Sequence, residues 1–206
     1  MNEKFPQNAG CCDKPDAQPM GMHIASKPPT ESSQAEEVCC GSPPGPQSSR
    51  YEKPGFALLD FVEGFVQTPA GEVPRVKTAL QKSDYAGTVK VRLGIKRDQY
   101  KIAPGLYCVG TPDLKSPVLV TANYKLTFDV LRRELKSLNA WILVVDTRGI
   151  NVWCAAGKEL FSSAEVVQQV KRAQVDEVVS HHQLVLPQLA ATGVAAHQVK
   201  KESGFE

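Results

Sequence analysis

Two continuous apolar runs constrain this chain most: Pro117-Val-Leu-Val120 and Trp141-Ile-Leu-Val-Val145. A strand with one wet face alternates apolar and polar residues, so an unbroken run reads as a strand buried on both faces. Between the two runs, Leu126, Val130, Leu131, Leu135 and Leu138 recur at helical spacing and predict a helix over 126–138. Strand, helix, strand is a βαβ unit, which needs a parallel sheet covered on both faces. Downstream signals agree. A helix is expected over 163–173 with Ser162 or Ser163 as its cap, short strands at 177–179 and 184–186, and a helix over 194–201 closed by Gly204. Upstream, the alternation in Thr88–Ile95 predicts a half-buried strand, and Leu106–Val109 another after the Pro104-Gly105 turn. Residues 56–84 read only as a short leading element. The expected fold is α/β: a Rossmann-like, mostly parallel sheet with helices on both faces.

The first 54 residues have a different character. They hold nine of the fifteen prolines and four of the six cysteines, yet only Ile24 and Val38 among Val, Ile and Leu. Such a segment buries too little apolar surface to offset its ordering entropy, so residues 1–54 are expected to be a disordered arm and 55–206 the folded domain. Five basic and seven acidic residues give the arm a charge of −2; the whole 206-residue chain carries +2. That balance excludes an electrostatic nucleic-acid binder. No apolar run approaches the roughly 18 residues of a membrane span, and the first ten residues lack a signal-peptide pattern, so the visible chain reads as soluble and cytoplasmic. Gly204-Phe-Glu206 stands where a further strand should begin, which suggests a chain cut short.

Open α/β sheets hold ligands at the carboxyl ends of their strands. Thr121-Ala-Asn123, Asp146-Thr-Arg-Gly149 and Pro187-Gln-Leu189 fall there. No G-x-G-x-x-G or Walker loop is present, which disfavours a nucleotide enzyme. Chemistry concentrates in Asn151-Val-Trp-Cys-Ala-Ala-Gly-Lys158. Asn151 is a good N-cap, which puts Cys154 in the first helical turn and lets Gly157 stop the helix after about two turns. Unpaired N–H groups there favour the thiolate, the form that binds metals or attacks electrophiles. Val152, Trp153, Ala155 and Ala156 offer apolar surface to a large flat ligand. Two alternatives stand beside this reading. Cys154 is an inert core cysteine, or it is a nucleophile served by His181, His182 or His197.

This segment resembles the cap-helix motif of the mercury-methylating corrinoid protein family (HgcA). Val120–Lys125, Val145–Gly149, Val179–Leu189 and Gly193–His197 are also similar to that family, and the likeness covers roughly Pro54 to Glu206. Its wider relatives are the corrinoid iron–sulfur proteins of acetyl-CoA synthesis, which lack the cysteine helix. The resemblance implies a corrinoid-binding domain at 55–206. It implies a cobalamin-type corrinoid held base-off, with Cys154 as lower axial cobalt ligand and Asn151, Val152, Trp153, Ala155, Ala156, Gly157 and Lys158 shaping the lower face. Thr121, Ala122, Asn123, Asp146, Thr147, Ser180, Gly193 and His197 are expected to touch the corrinoid, and Leu186, Gln188 and Leu189 to hold its tail. It further implies methyl transfer to inorganic Hg(II) as a carbanion equivalent or a radical, since a thiolate trans to cobalt–methyl pushes electron density toward the methyl group. The implied partners are a ferredoxin with two [4Fe–4S] clusters as electron donor and a methyl donor from the folate and acetyl-CoA pathway. Family members carry a C-terminal membrane domain, which would place the full-length protein at the cytoplasmic side of the inner membrane.

Two vicinal pairs in the arm, Cys11-Cys12 and Cys39-Cys40, are soft donors suited to transient capture of mercury, or are incidental thiols of a reducing cytosol. The runner-up function is a methyl-carrier corrinoid protein of one-carbon metabolism without mercury specificity. A third reading is a corrinoid- or metal-binding module with no turnover of its own.

Overall fold

The computed structural model describes residues 60–206, apart from Lys96 and the side chain of Asp98. The arm at 1–54, with Cys11, Cys12, Cys39 and Cys40, lies outside the described residues.

Six strands form one sheet: β1 (Val62–Thr68), β2 (Gly71–Val76), β3 (Gly105–Val109), β4 (Val118–Ala122), β5 (Ala140–Val145) and β6 (Leu184–Val185). Their order is β1-β2-β3-β5-β4-β6. β2 pairs parallel with β3, β4 with β5, and β4 with β6, while β1–β2 and β3–β5 are antiparallel. All six residues of β5 are buried. Trp141, Leu143 and Val145 enter one core cluster, and Ile142 and Val144 enter the other. The apolar run is therefore continuous because both faces of its strand are covered.

The helices are α1 (Lys82–Arg92), α2 (Lys125–Glu134), α3 (Val152–Gly157), α4 (Ser163–Ala173), α5 (Val175–Val178) and α6 (Ala196–Ser203). Phe128 and Leu135, on and just after α2, pack with Ile142, Val144 and Tyr107. Residues of α3, α4, α5 and α6 pack on the other face, around Val120, Leu143 and Phe161. The expected sheet with helices on both faces is the fold observed.

Four local expectations differ. Thr88–Ile95 is not a strand: its first five residues lie in α1 and the rest follow it. The Asp84 backbone N–H donates to the Gln81 carbonyl at 3.0 Å, while the Gln81 N–H donates to Asp84 Oδ2 at 2.8 Å. This capping box starts a helix that local alternation does not reveal. Residues 177–179 fall mainly in α5, because Gln174 takes φ 51° and begins a second short helix directly after α4. The leading element is a hairpin, β1–β2, closed by Pro69-Ala70.

The expected apolar stripe of α2 is the fourth. Val130 and Leu138 are exposed, and the helix ends at Glu134. Lys125, Asp129 and Arg132 point inward instead, at helical spacing. Lys125 Nζ bonds Asp84 Oδ1 at 2.6 Å and Asp129 Oδ2 at 2.7 Å. Arg132 donates to Asp129 Oδ1 at 2.8 Å, Asp84 Oδ2 at 2.7 Å and the Lys77 carbonyl at 2.5 Å. Two cations and two anions thus neutralise one another inside the protein and join α1 to α2. The Phe61 ring lies 5.4 Å from both Lys125 Nζ and the Arg132 guanidinium carbon.

Candidate functional site

β4 and β5 are neighbours, and the helices that follow them go to opposite faces. In a doubly wound sheet this opens a crevice at the carboxyl edge. Here Asn123 fills it. Its Oδ1 accepts from Thr147 N at 3.1 Å, Gly149 N at 2.9 Å and the Thr147 hydroxyl at 2.9 Å. Its Nδ2 donates to Asp146 Oδ1 at 3.0 Å. The Thr147 hydroxyl also lies 2.6 Å from the Ile150 carbonyl and donates to one acceptor at a time.

Thr147–Ile150 is a tight turn closed by Ile150 N–H to the Thr147 carbonyl at 3.1 Å. Both central residues are left-handed, Arg148 at φ 57° and Gly149 at φ 77°. Glycine accepts that conformation without strain; arginine does not. Asp146 Oδ1 offsets part of the cost by accepting the Arg148 N–H at 2.9 Å.

The turn delivers the chain to Asn151, which caps α3 by accepting the Cys154 N–H at 2.9 Å, as expected from sequence. Gly157 is the last helical residue, and left-handed Glu159 follows. Val152, Ala155 and Ala156 are buried and fasten α3 to the core, so they offer no open surface to a ligand. The cap-helix residues that reach the outside are Trp153, 65 % exposed, Gly157, Lys158 and the half-buried Cys154, a free thiol.

The other expected contacts divide. Leu186, Gln188 and Leu189 follow β6 at the same edge, and Leu189 is 60 % exposed. Gly193 lies against α3: a Cβ there would stand 2.4 Å from the Phe161 carbonyl oxygen and 3.1 Å from Ala156 Cα. It is a packing glycine. Thr121, Ala122, Asn123 and Thr147 are buried, and Asn123 and Thr147 join the strand ends in this conformation; Asp146 is exposed. Ser180 stands apart. Its N–H and hydroxyl both donate to the Leu114 carbonyl, at 2.8 and 3.1 Å, which puts it at the amino edge of β4, opposite Cys154. Sequence order alone suggests otherwise, because it places a strand at residues 177–179.

Among the described residues no histidine forms a Cys–His pair with Cys154. His181 lies at the amino edge with Nε2 3.0 Å from the Ser116 carbonyl, and the His182 ring lies 5.2 Å from that of Phe205, tilted by 46°. His197 is exposed in the first turn of α6. Cys108 is fully buried in β3, and burial pushes its thiol up to about 12. Among the described residues no cluster of three or more His, Cys, Asp or Glu could hold a metal ion, and no helix is long and apolar enough to cross a membrane.

Sequence reasoning missed the bracing role of Asn123 and the buried charge quartet. The quartet had a signal in the Lys125, Asp129, Arg132 spacing, which places all three on one helix face.

Fold and edge together define a doubly wound α/β domain that presents a free thiol where such sheets receive ligands. The chain belongs to the CdhD family, CO dehydrogenase/acetyl-CoA synthase delta subunit, whose model matches residues 90–203, more than half of the chain. Curated relatives include the acetyl-CoA decarbonylase/synthase complex subunit gamma of Methanopyrus kandleri, 36 % identical over 97 residues, covering 46 % of this chain and 21 % of the relative. The corresponding subunit of Archaeoglobus fulgidus is 29 % identical over 124 residues, 58 % of this chain and 26 % of its own. Subunit gamma 2 of Methanosarcina thermophila is 37 % identical over 90 residues, 42 % of this chain and 19 % of its own. The chain therefore spans about a fifth to a quarter of the length of these relatives. They support the link to acetyl-CoA synthesis drawn from the sequence; none of their names refers to mercury.

Proposed function

We propose that residues 55–206 form a corrinoid-binding domain that handles a methyl group, with the Cys154 thiolate as lower axial ligand of a base-off, cobalamin-type corrinoid. The placement of Cys154 carries the reading: a free, partly exposed soft donor on a short helix fixed by Asn151 at the carboxyl edge of the sheet. The residues present fit such a group. The thiol is reachable, and Trp153 and Leu189 add exposed apolar surface of the kind a large planar ligand covers. Leu186, Gln188 and Lys158 border the same edge and are proposed to contact the ligand. When bound, the corrinoid supplies a cobalt centre that takes up and releases a methyl group. Asn151 fixes the direction of the cysteine, and the buried Val152, Ala155 and Ala156 keep the helix from yielding.

Two acceptors divide the reading. Family membership favours a methyl carrier of acetyl-CoA-pathway metabolism, with the methyl group coming from a folate donor, and the relatives back this better than mercury chemistry. Cys154 favours delivery to inorganic Hg(II): a soft thiolate suits transfer of methyl with its bonding electrons to a soft electrophile, whereas a carrier donating methyl as a cation gains nothing from it. On that second reading a ferredoxin with two [4Fe–4S] clusters restores the reduced state, the arm cysteines Cys11, Cys12, Cys39 and Cys40 are candidate mercury donors, and the full-length protein works at the membrane.

The test is anaerobic reconstitution of the full chain with cobalamin, for wild type, Cys154→Ala and Cys154→His. Wild type alone is expected to show a sulfur-ligated, base-off spectrum; identical spectra for all three would overturn the ligand assignment. Methylmercury formed by wild type and lost in Cys154→His selects the mercury reading. Cofactor loading without methylmercury selects the carrier.

A further inference from the structure

α1 turns apolar side chains toward solvent. Tyr85, Val89 and Leu93 follow one another at four-residue spacing and are 57, 57 and 71 % exposed; Ile95 just beyond is 52 % exposed. Four of the ten large apolar side chains exposed among the described residues fall within these eleven positions. The inward side of the helix is carried by Val91 and Asp84, so the apolar strip faces directly away from the protein. The charged side chains that α1 itself turns to its surface are all basic. Lys82 opens the strip, Lys90 and Arg92 flank it on either side, and all three are exposed with no ion pair among the described residues. Asp84, the one acidic residue of α1, is turned inward and held by Lys125 and Arg132. Beside the strip, Gly87, Val91, Ile95 and Tyr100 help to line a notch of about 270 Å³.

Exposed apolar surface flanked by uncompensated cations calls for an occupant that is apolar within and anionic without. A second copy of this chain would set basic flank against basic flank. The strip is the crest of a single helix, shaped for a flat, deformable surface. Tyr85 carries a hydroxyl on an apolar ring, and Lys82 and Lys90 have long stems, which suits side chains at headgroup level. We propose that α1 docks on an anionic lipid surface, with Tyr85, Val89 and Leu93 inserted among the acyl chains and Lys82, Lys90 and Arg92 paired with headgroup phosphates. This inference is independent of what the Cys154 edge binds.

Vesicle flotation of the full chain tests it, with phosphatidylcholine alone and with phosphatidylcholine containing phosphatidylglycerol. Wild type is expected to float with the anionic vesicles only, and less so at high salt. The Lys82→Gln, Lys90→Gln, Arg92→Gln triple variant should bind at least about tenfold more weakly. Val89→Ser with Leu93→Ser should weaken binding similarly, with wild-type circular dichroism and urea midpoint for both. Equal partition onto neutral vesicles, or variants that float like wild type, would overturn the proposal. So would dimerisation, or binding of an acidic amphipathic peptide, that depends on α1 while anionic vesicles are ignored.

Discussion

Asn123 accepts the backbone N–H of Gly149 at 2.9 Å across 26 residues of chain, and so ties the end of β4 to the turn that launches the cysteine helix. Asn123→Ala leaves the N–H groups of Thr147 and Gly149 buried without that acceptor. A loss of about 3 kcal/mol is expected, at roughly 1–3 kcal/mol for each unsatisfied buried group after partial relaxation. Urea unfolding measures it. A change below about 0.5 kcal/mol would mean that water or a neighbour replaces the amide.

Arg148 holds a left-handed backbone in the same turn. Arg148→Gly removes that strain at an exposed site and is expected to stabilise the folded protein by about 1 kcal/mol, less the larger entropy glycine brings to the unfolded chain. Thermal melting should show a midpoint a few degrees higher. Arg148→Val should do the opposite, since a β-branched residue tolerates positive φ poorly.

The two described thiols should separate cleanly by reactivity. Cys108 is fully buried, and its burial, with a smaller opposing pull from Arg75, raises it to about 12, so it is protonated and shielded at neutral pH. Cys154 is partly exposed. With Cys11, Cys12, Cys39 and Cys40 replaced by serine, iodoacetamide should add once to the folded protein, at Cys154, and twice in denaturant. Intact mass spectrometry reads both numbers.

Asp84 links acid stability to the buried quartet. Burial works to raise its pKa, but hydrogen bonds from Lys125, the Gln81 N–H and Arg132, with the Lys125 charge, hold it below the ordinary 3.8. A depressed folded value stabilises the protein above the unfolded value and is lost as pH falls through the folded one. Wild type should therefore hold this contribution above about pH 4 and lose it in stronger acid. Asp84→Asn should cost about 3 kcal/mol at pH 7, because Lys125 and Arg132 lose a buried partner. The two stability curves should converge in acid; a constant gap would assign the effect to packing.

Where the sequence was informative, the reason is local. Trp141–Val145 and Val118–Val120 announce buried strands because both faces of each are covered, and Asn151 and the Ser162-Ser163 pair announce helices because an N-cap acts within its own turn, Ser162 being the one that caps. The failures are tertiary. The alternation after Thr88 could not reveal that Gln81 and Asp84 start a helix whose apolar face points outward. Leu126–Leu138 reads as a core stripe, yet burial goes to Lys125, Asp129 and Arg132, whose two cations hydrogen-bond to Asp84, 41 and 48 positions earlier. At the site, Cys154 and its cap were legible. That Asn123 and Thr147 are spent on joining strand ends was not, since an exposed loop and a buried brace share the same composition.

Among the described residues, the segment from Asp146 to Lys158 makes its side-chain hydrogen bonds within itself or with one outside residue, Asn123. That economy makes the cysteine helix portable. Another doubly wound sheet needs an asparagine at the end of the neighbouring strand, and small apolar seats for Val152, Ala155 and Ala156, to accept the same loop. On such a scaffold the donor offered to a ligand can be exchanged by rewriting one connection, while the strands that set its height above the sheet stay as they are.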